Sequence, residues 1–282
     1  MAAKTKSLDD LLKAGLTVNQ AKQIFLSEIE QIKSKDYKVK LTKLFSYALK
    51  NNPSLFSGIR IQELTKDNEK NDNQLSEILD IGSSGKSIYE QMASEYIKKW
   101  CGNYVSERNN PAIKKALKNY GEKDSALTAR IKANTNASDE VLDNYVTGHF
   151  LYMSAENMNG AILEEYLCKV LEPEKWLWCA GAVYRAIDFC YFDEEHAVLL
   201  QVKNKYNTEN SSSSAIRSGT DIIKWNRLNR PSKTSPDQPL PNWNKLQSLI
   251  NVSEEATAKL NEQSYLKFIE DNSTKELLTL GE

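Results

Sequence analysis

The stretch that most limits the fold runs from Val183 to Lys205. It reads VYRAIDFCYF, then the short polar DEEH, then AVLLQVKNK. Two runs rich in aromatic and β-branched residues, split by four polar ones, predict strand, turn, strand. Residues i and i+2 of a strand share a face. Val198, Leu200 and Val202 therefore line one side, and Leu199, Gln201 and Lys203 the other. If DEEH closes a tight hairpin with Phe192 opposite Ala197, Asp188 falls opposite Gln201 and diagonal to Lys203. Opposed residues of an antiparallel pair have Cβ atoms about 4.5–5.5 Å apart. One face would then gather a carboxylate, an amide oxygen and an ammonium group, which a one-residue slip would scatter.

The first half of the chain reads as helical. SLDDLLKAGLTVNQAKQIFLSEIEQIKS opens with a Ser7-x-x-Asp10 capping signature and carries apolar residues at helical spacing. YKVKLTKLFSYALKN and KSIYEQMASEYIKKWCGNYV continue the pattern, with polar breaks near TKDNEKNDN and ANTNASD. From Ser154 the texture changes. SAENMNGAILEEYLCKVLE predicts a capped amphipathic helix with Ile162, Tyr166 and Val170 along one stripe. After the hairpin, a polar helix is expected from about Ser212 to Leu228, with Ser211 as its N-cap and Trp225 in the core. Four of the seven prolines then fall in PSKTSPDQPLP, an extended surface loop, before two closing helical segments.

Composition removes several classes. Hydrophobic residues make up 40% and charged residues 27% of 282, an ordinary globular balance. No apolar run approaches the roughly 18 residues that cross a bilayer, and the N-terminus has no apolar signal core, so a cytoplasmic, prokaryotic location is expected. The four cysteines form no C-x-x-C pair and suit reduced, buried thiols rather than a zinc site. With only His149 and His196, a histidine metal cage is excluded too. GSSGKS at Gly82–Ser87 resembles a phosphate-binding loop, but the full pattern needs glycine where Asp80 stands. There is no G-x-S-x-G nucleophile elbow.

The hairpin trio has a chemical logic. Phosphodiester hydrolysis uses a divalent cation to offset phosphoryl charge and lower the pKa of the attacking water. Mg²⁺ takes oxygen ligands and keeps several waters, so one or two carboxylates and an amide oxygen are enough. A neighbouring lysine can orient or deprotonate that water. The same residues would also serve as the wet face of an ordinary hairpin.

Asp188 followed by QVK on the next strand resembles the PD-(D/E)XK nuclease signature, with Gln201 in the usual acidic position. GAILEEYL is similar to the helix that carries a further carboxylate in that superfamily. Its G-x-x-x-E phasing selects Glu164, with Glu165 the alternative. The longer string LLQVKNKYNTENSSSSAIRSGTDIIKWNR resembles type II restriction endonucleases of the SinI family. The likeness is sharp from Ser154 to Arg230 and vague before it. Ile187 stands where the signature has proline, and Gln201 removes one negative charge, which puts the metal stoichiometry in question.

The resemblance implies an α/β PD-(D/E)XK-like core, a mixed sheet flanked by helices, with a largely helical N-terminal region. The expected division is 1–150 for dimerisation or DNA clamping and 151–282 for catalysis and recognition. It implies Asp188, Gln201, Lys203 and Glu164 as catalytic residues, with Asp188, Gln201 and Glu164 holding Mg²⁺. A symmetric homodimer would cut a short palindrome of the GGWCC or GGNCC kind, beside a cognate DNA methyltransferase as genetic partner. Asn and Gln amides bond adenine edges and arginine pairs best with guanine, so Asn207, Asn210 and Arg217 are candidate base readers. Ser211, Ser212, Lys224 and Arg227 suit phosphates. Residues 201–234 hold seven basic and two acidic side chains, a local charge of +5 within a chain of net −1. Two other readings remain: a less specific Mrr-like or repair nuclease, and a non-catalytic DNA-binding protein that keeps a nuclease-like hairpin.

Overall fold

The computed structural model describes residues 3–63, 87–193, 196–206, 221–234 and 238–278. It is a mixed α/β protein. Helix α1 (Leu8–Ala14) starts at the expected capping box, in which Ser7 and Asp10 each bond the other's backbone N–H. Such a cap stabilises a helix by about 1 kcal/mol. The apolar periodicity does not continue as one helix. Gly15 adopts φ 129°, and a second capping box, Thr17 with Gln20, starts α2 (Val18–Glu30). Helix α3 (Lys35–Asn51) and helix α4 (Ile88–Asn109) follow. Ser87, the last residue of the loop-like GSSGKS, accepts the Glu90 N–H while its own N–H donates to the Glu90 carboxylate. That serine is a helix cap; Gly82 to Lys86 lie outside the described residues.

Contacts divide the chain into two compact units. The first comprises Met1–Asn109, Trp176–Gln201 and Thr208–Ile223, and the second Asn110–Lys175, Val202–Asn207 and Lys224–Glu282. Residue 150, the expected boundary, lies inside the helix Asp139–Leu171.

In the first unit, β1 (Ala3–Lys6) pairs antiparallel with β2 (Ile59–Gln62). Its core is aromatic. Phe25 stacks on Phe45 at 4.0 Å, and the buried Trp100 meets both rings edge-on. The Trp100 indole N–H donates to the Val183 carbonyl at 2.9 Å, which ties α4 to the segment leading into the hairpin.

In the second unit, β3 (Leu117–Lys118) pairs in parallel with β8 (Leu277–Leu278), and α5 (Ser125–Thr135) precedes α6 (Asp139–Leu171). The helix expected to begin at Ser154 begins fifteen residues earlier, at Asp139, behind the Ser138 cap. Ser154 instead accepts the Lys118 N–H at 3.0 Å. Helices α7 (Trp243–Leu249), α8 (Glu254–Lys259) and α9 (Glu262–Asn272) close the chain; the second of the two expected helical segments is split at Leu260–Asn261, where Asn261 caps a new helix. Trp225, Trp243, Tyr166 and Tyr265 form a buried aromatic cluster, with Trp225 and Trp243 centroids 5.1 Å apart.

The main sheet has the order β4 (Leu177–Trp178), β5 (Phe189–Phe192), β6 (Ala197–Lys205), β7 (Ile222–Leu228). Strands β4, β5 and β6 form an antiparallel meander. The Tyr206 N–H donates to the Leu228 carbonyl, so the C-terminal ends of β6 and β7 meet, as a parallel neighbour requires. The expected helix to Leu228 is corrected here: residues 222–228 are a strand. Ile222, Trp225, Arg227 and Leu228 are all buried within it, which a solvated polar helix would not allow.

Candidate active site

Strand β6 spans the residues predicted for it, and the hairpin register is the one the sequence suggested. Phe192 pairs with Ala197, Tyr191 with Val198, Cys190 with Leu199 and Phe189 with Leu200. The turn is fastened by the Asp193 N–H to the His196 carbonyl at 3.0 Å and by the His196 N–H to the Asp193 carboxylate at 2.6 Å.

At the other end the ladder stops one pair short of the expectation. Asp188 lies just outside β5, and its N–H donates to the carbonyl of Leu200 at 2.9 Å. Its own carbonyl accepts the Cys179 N–H at 2.8 Å. The backbone of this half-buried aspartate is thus fixed from both neighbouring strands, beside the Leu200–Gln201 peptide.

The approach to Asp188 is held at several points in the first unit. Arg185 N–H donates to Leu55, Ser57 N–H to Val183, and the buried Tyr184 hydroxyl to the Leu44 carbonyl. Burial pushes the Tyr184 phenol well above its ordinary range, with the nearby thiols and Tyr47 adding to the effect. Ala186 sits at φ 57°, a left-handed conformation that costs a non-glycine residue about 1–2 kcal/mol. Strain of this kind two residues before a candidate carboxylate is the sort that fixed surroundings impose on working sites. Gly181 (φ 71°) is required for a second reason: a methyl built there would lie 2.6 Å from the Asn103 carbonyl oxygen.

Gln201 is a buried polar side chain, 1% exposed, while Lys203, two residues along the same face of β6, is exposed. Beyond it the Lys205 ammonium bonds Glu156 at 2.7 Å, and that contact lowers the Glu156 pKa. Gln201 and Asp188 belong to the first unit, Lys203 and Glu164 to the second.

Glu164 and Glu165 both lie on α6. Glu165 accepts the backbone N–H groups of Ala112 and Ile113, the latter at 3.1 Å, and so holds the turn at Ala112–Lys114. Its neighbour Glu164 is half-buried.

Among the predicted recognition residues, Asn207, Asn210, Ser211, Ser212 and Arg217 lie outside the described residues. Arg227 does not behave as a surface phosphate ligand. It is 7% exposed, ion-paired through Nη1 with Glu262, bonded through Nε to Asn204 at 2.8 Å, and stacked over Tyr265 at 5.1 Å. The expected phosphate contact is replaced by a structural role in the second unit's core.

A cluster that charge counting missed lies at the end of β6. The half-exposed ring of Tyr206 carries Arg230 at 4.2 Å and Lys224 at 6.0 Å from its centroid. Its sequence signal was an aromatic residue directly after Lys205, inside the basic window.

Comparison with known proteins decides the family. A model described as SinI restriction endonuclease matches residues 91–274, more than half the chain. The chain belongs to the SinI restriction endonuclease family. It is similar to type II restriction enzyme Eco47I of Escherichia coli, 38% identical over 155 residues, which is 54% of this chain and 62% of that enzyme. It is also similar to type II restriction enzyme SinI of Salmonella infantis, 34% identical over 201 residues, 61% of this chain and 82% of the relative. All the candidate residues of this SinI-family chain, from Glu164 to Arg227, fall inside the matched span. The region before residue 91, with helices α1 to α3, falls outside it.

The donor set fits a hard cation better than a soft one. Among the described residues, no three His, Cys, Asp or Glu side chains form a ready cage. All four cysteines are buried and outside any disulfide, and burial raises Cys101 to about 12. What the family chain offers around β6 are carboxylate and amide oxygens, the ligands Mg²⁺ accepts. Among the described residues, no helix is long and apolar enough to cross a membrane.

Proposed function

We propose that this chain is a type II restriction endonuclease that hydrolyses both strands of a short palindromic DNA site in a Mg²⁺-dependent reaction, on a PD-(D/E)XK-like core. The observation that carries the reading is the β5–β6 register. It brings the Asp188 backbone to the Leu200–Gln201 peptide and sets Lys203 two residues further along the strand face. Family membership supports the class of reaction.

In this reading the Asp188 carboxylate and the Gln201 amide oxygen hold Mg²⁺. Glu164 of α6 supplies the second carboxylate that the glutamine substitution removes. Bound Mg²⁺ offsets phosphoryl charge and acidifies water. Lys203, on an exposed strand end, orients the attacking water and shields the phosphate's charge. Asn207, Asn210 and Arg217 read base edges, while Ser211, Ser212 and Lys224 hold the phosphate backbone.

The recognition site is of the GGWCC or GGNCC kind. Cutting a palindrome symmetrically calls for a homodimer, one subunit per strand. A cognate methyltransferase protects the host. The test is digestion of plasmid DNA with Mg²⁺. Discrete bands with shared ends support the proposal. A smear makes the chain a nonspecific nuclease, and intact DNA that the protein nevertheless binds makes it a non-catalytic binder.

A further inference from the structure

Tyr206 directly follows the last residue of β6, with its side chain 46% exposed and two cations over its ring. The Arg230 guanidinium lies 4.2 Å from the ring centroid and the Lys224 ammonium 6.0 Å. A guanidinium is planar and weakly hydrated, so the face of an aromatic ring attracts and orients it.

Both partners stand on fixed backbone. The Tyr206 N–H donates to the Leu228 carbonyl at 3.1 Å, and the Asn229 N–H to the Leu240 carbonyl at 3.0 Å. Leu228 is also bridged to Pro241. Pro231 follows Arg230 directly, and a proline keeps the residue before it extended. The two side chains therefore meet across neighbouring strand ends, all within the second unit.

Arg227 shows what a structural arginine looks like in this region. It too lies over a tyrosine, but that ring is buried and the guanidinium is ion-paired with Glu262. Arg230 and the ring beneath it are exposed, where such a contact adds little to folding. The charge around the pair is one-signed. Residues 203–206 and 224–234 hold six basic side chains and no acidic one. Two are compensated from elsewhere in the chain, Lys205 by Glu156 and Arg227 by Glu262. Lys203, Arg230 and Lys233 are exposed, so this end of β6 presents positive charge.

We infer that Arg230 grips a phosphate of the DNA backbone and that Tyr206 is its positioning residue. With the ring against its face, the guanidinium keeps its N–H edge open, and that edge matches two phosphate oxygens. The ring also restricts a side chain with many rotamers, so less freedom is lost when the phosphate binds. A base is the poorer occupant, because an aromatic platform takes bases that are unstacked, and those of a duplex stack on each other. The inference deepens the reading of the basic segment given above and takes from it only that DNA is the ligand.

The experiment measures metal-free binding of the full chain by fluorescence anisotropy over a series of salt concentrations. Two synthetic duplexes are used: one contains GGACC, which satisfies both site patterns, and the other has that sequence scrambled. Arg230→Ala should lose about eightfold on both duplexes at about 0.1 M salt, the effect of one counterion no longer released, with the salt slope lower by about one unit. Arg230→Lys keeps the charge but not the fork, so it should hold the slope and lose about fivefold. Tyr206→Ala should likewise lose about fivefold at an unchanged slope, and Tyr206→Phe, which keeps the ring, should restore that loss. Because Tyr206 acts through Arg230, the double variant Tyr206→Ala/Arg230→Ala should bind no more weakly than Arg230→Ala.

An unchanged slope in Arg230→Ala, wild-type affinity in Arg230→Lys, or a double variant whose loss is the product of the two single losses each overturns the inference. A loss confined to the GGACC duplex would make Arg230 a base reader and overturn it as well. No cleavage is read, so a chain that shows the clamp but cuts nothing with Mg²⁺ would count against the nuclease proposal alone. Equal wild-type affinity for the two duplexes would count against the site patterns alone.

Discussion

Arg227 lies in the basic segment after β6, yet its surroundings assign it to stability. Its side chain is 8% exposed, and it pairs with Glu262, whose side chain is 25% exposed. That carboxylate also accepts the Trp243 indole N–H at 2.7 Å. Removing one partner of a buried ion pair costs about 3–5 kcal/mol, because the other charge stays buried without compensation. Glu262 keeps some water and the indole, so Arg227→Ala should cost about 3 kcal/mol, the low end of that range. Tryptophan fluorescence during urea unfolding is the assay, since Trp225 and Trp243 sit in the same cluster. Glu262→Ala should be destabilised as well. The double variant should be only slightly worse than either single one, a coupling of about 2 kcal/mol. The salt dependence of DNA binding should not change in Arg227→Ala chains that remain folded. An unchanged unfolding midpoint together with a salt slope lower by about one unit would refute the structural assignment and return Arg227 to the phosphate contacts.

Lys224→Ala should lower the salt slope of DNA binding by about one unit and weaken cognate and non-cognate duplexes alike. Arg217→Ala should instead lose about 1–3 kcal/mol of discrimination at one base position, read by binding across all single-base variants of the cognate site. A uniform loss would place Arg217 on the backbone. Gly181→Ala should cost at least about 2 kcal/mol in urea unfolding, since the added methyl meets peptide backbone in a left-handed conformation. Native stability in that variant would show that the Asn103 peptide can yield.

Much of the local structure was legible because its causes are local. The Ser7–Asp10 capping box needs only four residues, and the hairpin register followed from two apolar runs and a short polar turn. The errors arose where distant residues decide. DIIKWNRL was read as the end of a polar helix because it follows a serine-rich, cap-like stretch. Its β-branched pair and its tryptophan in fact fill a strand buried beside β6. The count of +5 treated Arg227 and Lys205 as surface charge, though Glu262 and Glu156, far off in sequence, neutralise them. The early start of α6 was hidden because EVLDNYVTGHFLYM carries apolar residues with no polar face opposite a buried one. The bonds from Glu165 to the turn at Ala112 are equally long-range, and no periodicity in α6 reveals them.

Asp188 carries the central claim, and one paired measurement on Asp188→Asn tests it: cleavage rate with Mg²⁺, and binding to a cognate duplex without it. The substitution keeps the shape and the backbone bonds to Leu200 and Cys179 while removing the charge. Cleavage should fall by at least about a hundredfold, the size of losing one electrostatic element of a hydrolytic site. Metal-free binding should persist or tighten, because a carboxylate near the scissile phosphate is repulsive when no cation lies between them. Lys203→Ala should lose cleavage without that tightening, since it removes a positive charge. Near-normal cleavage by Asp188→Asn would contradict the account.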